Sequence, residues 1–189
     1  MRDDRRIRNW QRAPLTDVGA MPAIERLEIP RFFYTVLDRP ARLAGMVRPD
    51  AETPWAALAE AGFHYVVCLT DDMPPYDPRP VALLHAVRLE DLHGGHDPAD
   101  RVAEEARIVE AIDRTYAAVR DGRGVIVHCA GGTGRTGTVI GGVLRRFGHP
   151  AKDVRTYLDS LHRHRGADWP ESPWAGALLD RIDPVERSR

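Results

Sequence analysis

A chain of 189 residues has the length of one domain with a sizeable core. Its 43% hydrophobic and 29% charged residues fit a folded, soluble domain, and a formal net charge of -1 excludes a general attraction to nucleic acid. The opening MRDDRRIRNW lacks the apolar stretch of a secretory signal, and no run approaches a membrane span, so a cytoplasmic location and no membrane partner are expected.

Residues 1–30 are Arg-rich with mixed signs and are expected to form an arm or irregular lead-in. RFFYTVLDRPARLAGM, from Arg31, offers Phe33, Val36 and Leu37, a DRP turn and then Leu43, the pattern of a strand pair. TPWAALAEAG is a short helix with Thr53 as cap, Pro54 in the first turn and Gly62 as stop. Phe63 to Leu69 form a compact apolar strand, and the proline-rich DDMPPYDPRP is a loop. VALLHAVRL is the next strand, delivering the polar EDLHGGHDPAD.

A long helix is expected from about Asp100 to Arg120, with Val102, Val109, Ile112, Tyr116 and Val119 on one face. DGRG turns into a strand at Val125–His128. RTGTVIGGVLRRFG is a helix ended by Gly148, whose Gly141-Gly142 pair permits close packing on a sheet. Lys152 to Arg163 form another helix, with Val154, Tyr157, Leu158 and Leu161 inward. A last helix starts at Ser172-Pro173, with Leu178, Leu179 and Ile182 inward, and a short tail follows from 184 to 189. The alternation predicts a single α/β domain over residues 31–183. Its core is a mostly parallel sheet of about four to five strands with helices on both faces. Ligands of such sheets bind where strand C-termini meet helix N-termini.

The stretch VIVHCAGGTGRTG, Val125 to Gly137, occupies such a junction. A helix starting near Arg135 offers unsatisfied N–H groups and a positive dipole end. Ala130, Gly131, Gly132, Thr133 and Gly134 can curl so that successive amides point inward, a cradle of phosphate size. The Arg135 fork closes it, matching two phosphate oxygens. Cys129 lies at the floor, where the same field favours thiolate over thiol. That geometry aims a nucleophile at the phosphorus of a bound monoester.

His128-Cys129, five residues, Arg135 and Thr136 resemble the Cys-x5-Arg loop of the cysteine-dependent protein tyrosine phosphatase superfamily, and HCAGGTGRTG is most similar to its dual-specificity branch. The resemblance runs from about Arg31 to Arg165 in order of elements and is detailed only at the loop. It implies a phosphatase-like fold and hydrolysis of a phosphorylated protein through a phospho-cysteine, with no cofactor and no metal. Cys129 is then the nucleophile and Arg135 the clamp on phosphate and transition state. Thr136 stabilises the leaving thiolate, and His128 supports the loop. An inactive phosphate-binding relative, or a thiol enzyme of sulfur transfer or arsenate reduction, is the alternative.

The family draws its general acid from an aspartate upstream of the cysteine, and three stand here: Asp91, Asp97 and Asp100. Asp91 ends its strand and opens the loop containing Gly94 and Gly95, and is the preferred acid; Asp97, nearer the usual spacing, is the alternative. Asp100 suits a helix cap. His93 and His96 lack a second ligand cluster for a metal. His162 to Arg165 form a basic helix end, mostly solvated. Cys68 is expected in the core, with a resolving thiol as the other reading. Trp55, Trp169 and Trp174 are packing or surface cover, and no glutamine near Trp174 answers to the one that positions water in tyrosine-specific relatives. Ala130 and Thr133 stand where relatives acting on inositol lipids carry lysines, which disfavours such substrates.

Overall fold

The computed structural model describes residues 13–20 and 23–185, so parts of the expected arm and tail lie outside the described residues. The strands are β1 (Phe33–Leu37), β2 (Leu43–Met46), β3 (Phe63–Cys68), β4 (Ala82–Ala86) and β5 (Gly124–His128). The helices are α1 (Trp55–Glu60), α2 (Arg101–Arg120), α3 (Gly134–Arg146), α4 (Ala151–His164) and α5 (Pro173–Arg181).

One five-stranded sheet runs in the order β1-β2-β5-β3-β4. β1 and β2 are antiparallel, while β2, β5, β3 and β4 are mutually parallel. Register brings Met46, His128, Cys68 and Ala86 level in one row, so the parallel strands end along a common edge. Central strands of this kind are apolar on both sides because both faces are covered. Along β5, Val125 and Val127 enter the larger core and Ile126 the smaller.

The two cores are unequal. The larger is closed by α2, α3, α4 and α5, with Ile112, Ile140, Leu144, Leu158 and Leu178 fully buried. The smaller is covered by α1 through Trp55 and Leu58, with Ile24 and Leu27 of the lead-in beside them. The described lead-in has no helix but packs on the sheet: Leu15 bridges Leu37, and Ala13 is buried.

Three local expectations change. Thr53 does not cap α1; its hydroxyl accepts from the Asp50 amide at 2.9 Å, closing the preceding turn. Val102, in the first turn of α2, is 82% exposed, and the buried stripe runs instead through Ile108, Ala111, Ile112 and Ala118. The Gly141-Gly142 pair meets helices rather than the sheet: a Cβ on Gly142 would lie 2.1 Å from Ile112 Cδ1 of α2, and one on Gly141 3.0 Å from Leu158 and Leu179. Among the described residues no helix is long and apolar enough to cross a membrane.

Candidate active site

β5 ends at His128, Cys129 follows, and α3 begins at Gly134. Cys129 is buried at the base of the connecting loop. Among the described residues, the amides of Ala130, Gly131, Gly132 and Thr133 donate to no protein acceptor. A row of unsatisfied N–H groups at a helix N-terminus is an oxyanion receptor. Gly132 has to be glycine: its φ is +69°, and a Cβ would lie 2.6 Å from the Met46 carbonyl oxygen. Gly131 has neither constraint.

The loop is held from behind by residues the sequence did not single out. Tyr34 donates its hydroxyl to the Gly132 carbonyl at 2.9 Å, and the Arg48 amide donates to the Ala130 carbonyl at 3.0 Å. Arg165, expected in solvent, is 5% exposed and lies under the loop. It donates to the carbonyls of Gly132 (3.2 Å), Pro30 (2.7 Å) and Arg31 (2.7 Å), and stacks 4.1 Å from the Tyr34 ring centroid. It also donates to His162 Nδ1 at 2.7 Å. That contact makes Nδ1 the acceptor and leaves the proton on Nε2. His162 is fully buried, and burial, aided by the Arg165 charge, pushes its pKa down to about 3. His162 packs edge-on to the Tyr34 ring at 5.5 Å and against Gly137 of α3, which takes it out of water, while His164 stays exposed. The same burial, with a smaller contribution from Cys129, raises the Tyr34 phenol.

His128 is also fully buried, and burial pushes its pKa down to about 4. Its Nε2 lies 2.5 Å from the Tyr76 hydroxyl, and its Nδ1 3.4 Å from the Cys129 carbonyl oxygen. A neutral ring protonated on Nδ1 satisfies both contacts, with Tyr76 donating. Tyr76 is fixed by stacking on Trp55 at 5.5 Å. It comes from the proline-rich loop, whose composition announces a loop and nothing of its contacts.

Arg135 projects from the first turn of α3 toward the segment after β4. Its Nη2 donates to Asp91 Oδ2 at 3.0 Å and its Nη1 to the Leu89 carbonyl at 3.4 Å. Asp97 pairs instead with Arg101, and Asp100 caps α2 by accepting from the Val102 and Ala103 amides. Of the three aspartates, the structure therefore brings Asp91 to Arg135. The Asp91 carboxylate is 57% exposed, at the rim of an open cleft of about 770 Å3 lined also by Thr70, Asp71, Asp72, Arg88 and Arg135. Thr136 Oγ1 is buried with no hydrogen-bond partner among the described residues.

Glu171, between α4 and α5, packs on the loop's end: a Cβ on Gly134 would lie 1.7 Å from Glu171 Oε2. Burial and then the Asp91 charge raise its pKa, against Arg135, His93 and the Gly134 amide. Cys68 is fully buried, with Sγ 3.5 Å from Thr70 Oγ1. Trp169 is buried, and its Nε1 comes within 2.6 Å of where a Cβ on Gly137 would stand; Trp174 is half-buried. Among the described residues, no three His, Cys, Asp or Glu are grouped to hold a metal.

A sheet edge that delivers a cysteine into a loop of open amides, followed by an arginine in the first turn of the next helix, is the arrangement of the cysteine-dependent phosphatases. Residues 30–168 match the family described as PTP-SAK, Swiss Army Knife protein, DSP-PTPase phosphatase domain, and the chain belongs to that family. It is a phosphatase of the dual-specificity branch, acting on phosphorylated substrates. Solved structures share the fold. Human DUSP28 is 23% identical, with a TM-score of 0.55 over 75% of this chain and 87% of that one. A mouse putative dual specificity phosphatase complexed with zinc tungstate is 24% identical, with a TM-score of 0.56 over 75% and 81%. TpbA of P. aeruginosa is 20% identical, with a TM-score of 0.55 over 79% and 84%.

Proposed function

We propose that the protein hydrolyses phosphate monoesters on phosphorylated proteins, of tyrosine or dual specificity, through a phosphorylated Cys129. Four open amides and the Arg135 fork receive the ester's phosphoryl oxygens. The Cys129 sulfur attacks phosphorus, the S–P bond forms, and the P–O bond to the leaving group breaks. Asp91, on the same guanidinium, gives that oxygen its proton. Water then attacks phosphorus, Asp91 takes its proton, and the S–P bond breaks to release phosphate. Thr136, with a buried hydroxyl free to donate, stabilises the departing thiolate. His128 and Arg165 hold the loop. The reaction balances without a metal or organic cofactor. Two reduced, buried cysteines suit a reducing, cytoplasmic setting.

The observation that carries this reading is the set of free loop amides preceding Arg135, with Asp91 paired to its guanidinium. The test is turnover of aryl phosphates with good and poor leaving groups. Cys129→Ser should abolish turnover yet still bind phosphate. Asp91→Ala should lose on the order of 10²-fold or more on the poor leaving group, with Asp97→Ala near wild type. Retained turnover in Cys129→Ser, or the reverse aspartate ranking, overturns the assignment. A panel of phosphotyrosine, phosphothreonine and phosphoinositide substrates then sets the preference.

A further inference from the structure

An anion receptor works best with no anion of its own nearby, yet this loop has one built against it. Glu171 lies flat on Gly134, occupying the space a side chain there would need. It shares with Gly134, Arg135 and Thr138 the lining of a small internal cavity. The groups facing it are mixed. Asp91 and His93 approach from the segment after β4, and Arg135 and the Gly134 amide from α3. Glu90 and Glu104 line the same cavity, with Glu104 held by Arg107 at 2.5 Å. Arg135 already pairs with Asp91. A phosphate dianion reaching Arg135 therefore meets Asp91 on the guanidinium and a second carboxylate, Glu171, on the adjoining Gly134.

We propose that Glu171 is a specificity-determining residue of the phosphate site: its carboxylate, seated on Gly134 and lining one cavity with Arg135, opposes a dianion until it is neutralised or swung aside, and so sets how tightly phosphate esters are held. This deepens the reading of the loop as the phosphate site and rests on it. Phosphate binding then favours proton uptake by Glu171, so the opposition is strongest at alkaline pH and fades in acid. The raised pKa of Glu171 moves that fading toward neutrality.

The test is inhibition of aryl phosphate turnover by inorganic phosphate, measured from pH 5 to 8. Glu171→Gln keeps an acceptor for the Gly134 amide and removes the charge. It should bind phosphate about tenfold more tightly at pH 8. The gap should narrow toward pH 5, with KM for the ester falling in parallel. Glu171→Asp, which keeps the charge, should stay near wild type. A merely structural role would affect Gln and Asp alike and follow no such pH course. Equal phosphate affinity in wild type and Glu171→Gln across the range overturns the proposal. If wild type itself shows no competitive phosphate inhibition, the loop assignment fails first, and this with it.

Discussion

The Arg165 guanidinium spans two parts of the chain, reaching the Gly132 carbonyl of the loop and the Pro30 and Arg31 carbonyls that precede β1. A fork of fixed donors can do this where an ammonium cannot. Arg165→Met should leave those carbonyls short of a donor and cost about 3 kcal/mol, with turnover reduced as the loop loosens. Arg165→Lys should recover only part of either. Denaturant midpoints and kcat/KM of the three proteins check this. In the sequence, Arg165 stands in the run His162 to Arg165, the pattern of a solvated helix end. Nothing local separates a basic residue in water from one folded under a loop that lies about thirty positions away. The loop was legible for the opposite reason: Cys129, Gly132, Gly134 and Arg135 fall within one short stretch of sequence between a strand and a helix. Asp91 lay between: the sequence put it at a strand end, but β4 stops at Ala86, and it is the contact to Arg135 that sets it apart from Asp97. Glu171 carried no pattern at all.

At the scale of elements, α3 is tied down along its contact with α2 as well as at its loop. Gly142 lets α2 approach until Ile112 fills the missing side chain's place, with Cδ1 2.1 Å and Cγ1 2.6 Å from an ideal Cβ. Alanine improves helix propensity by about 1 kcal/mol, but Ile112 is fully buried and has no room to retreat. Gly142→Ala should therefore destabilise by about 1–3 kcal/mol. Adding Ile112→Val, which removes Cδ1, should make the double variant more stable than the sum of the single effects. Urea unfolding of the four proteins measures the coupling. The existence and order of the elements were plain from periodicity and turn residues. What a face touches was not, because an apolar stripe or a glycine pair says that something approaches closely and leaves open whether it is sheet or helix. Val102 fits the stripe by spacing and is still 82% exposed.

For the whole molecule, two buried neutral histidines set the response to acid. The folded state holds His128 down to about 4 and His162 down to about 3, while an unfolded chain protonates both near 6.5. Between those values the unfolded state binds more protons, so stability is full above about pH 6.5 and falls as pH drops toward 4 and then 3. The thermal midpoint should follow that course, and His162→Gln should flatten its slope by one histidine's share. The α/β architecture itself followed from the alternation of helices and strands; the imbalance of four helices against one did not, since every amphipathic helix asks only for some apolar face. The buttress under the loop between β5 and α3 has a temporal side. Cys129 and Arg135 leave the ribosome well before Arg165, so a nascent chain holds this loop by Tyr34 and Arg48 alone until the end of α4 has emerged.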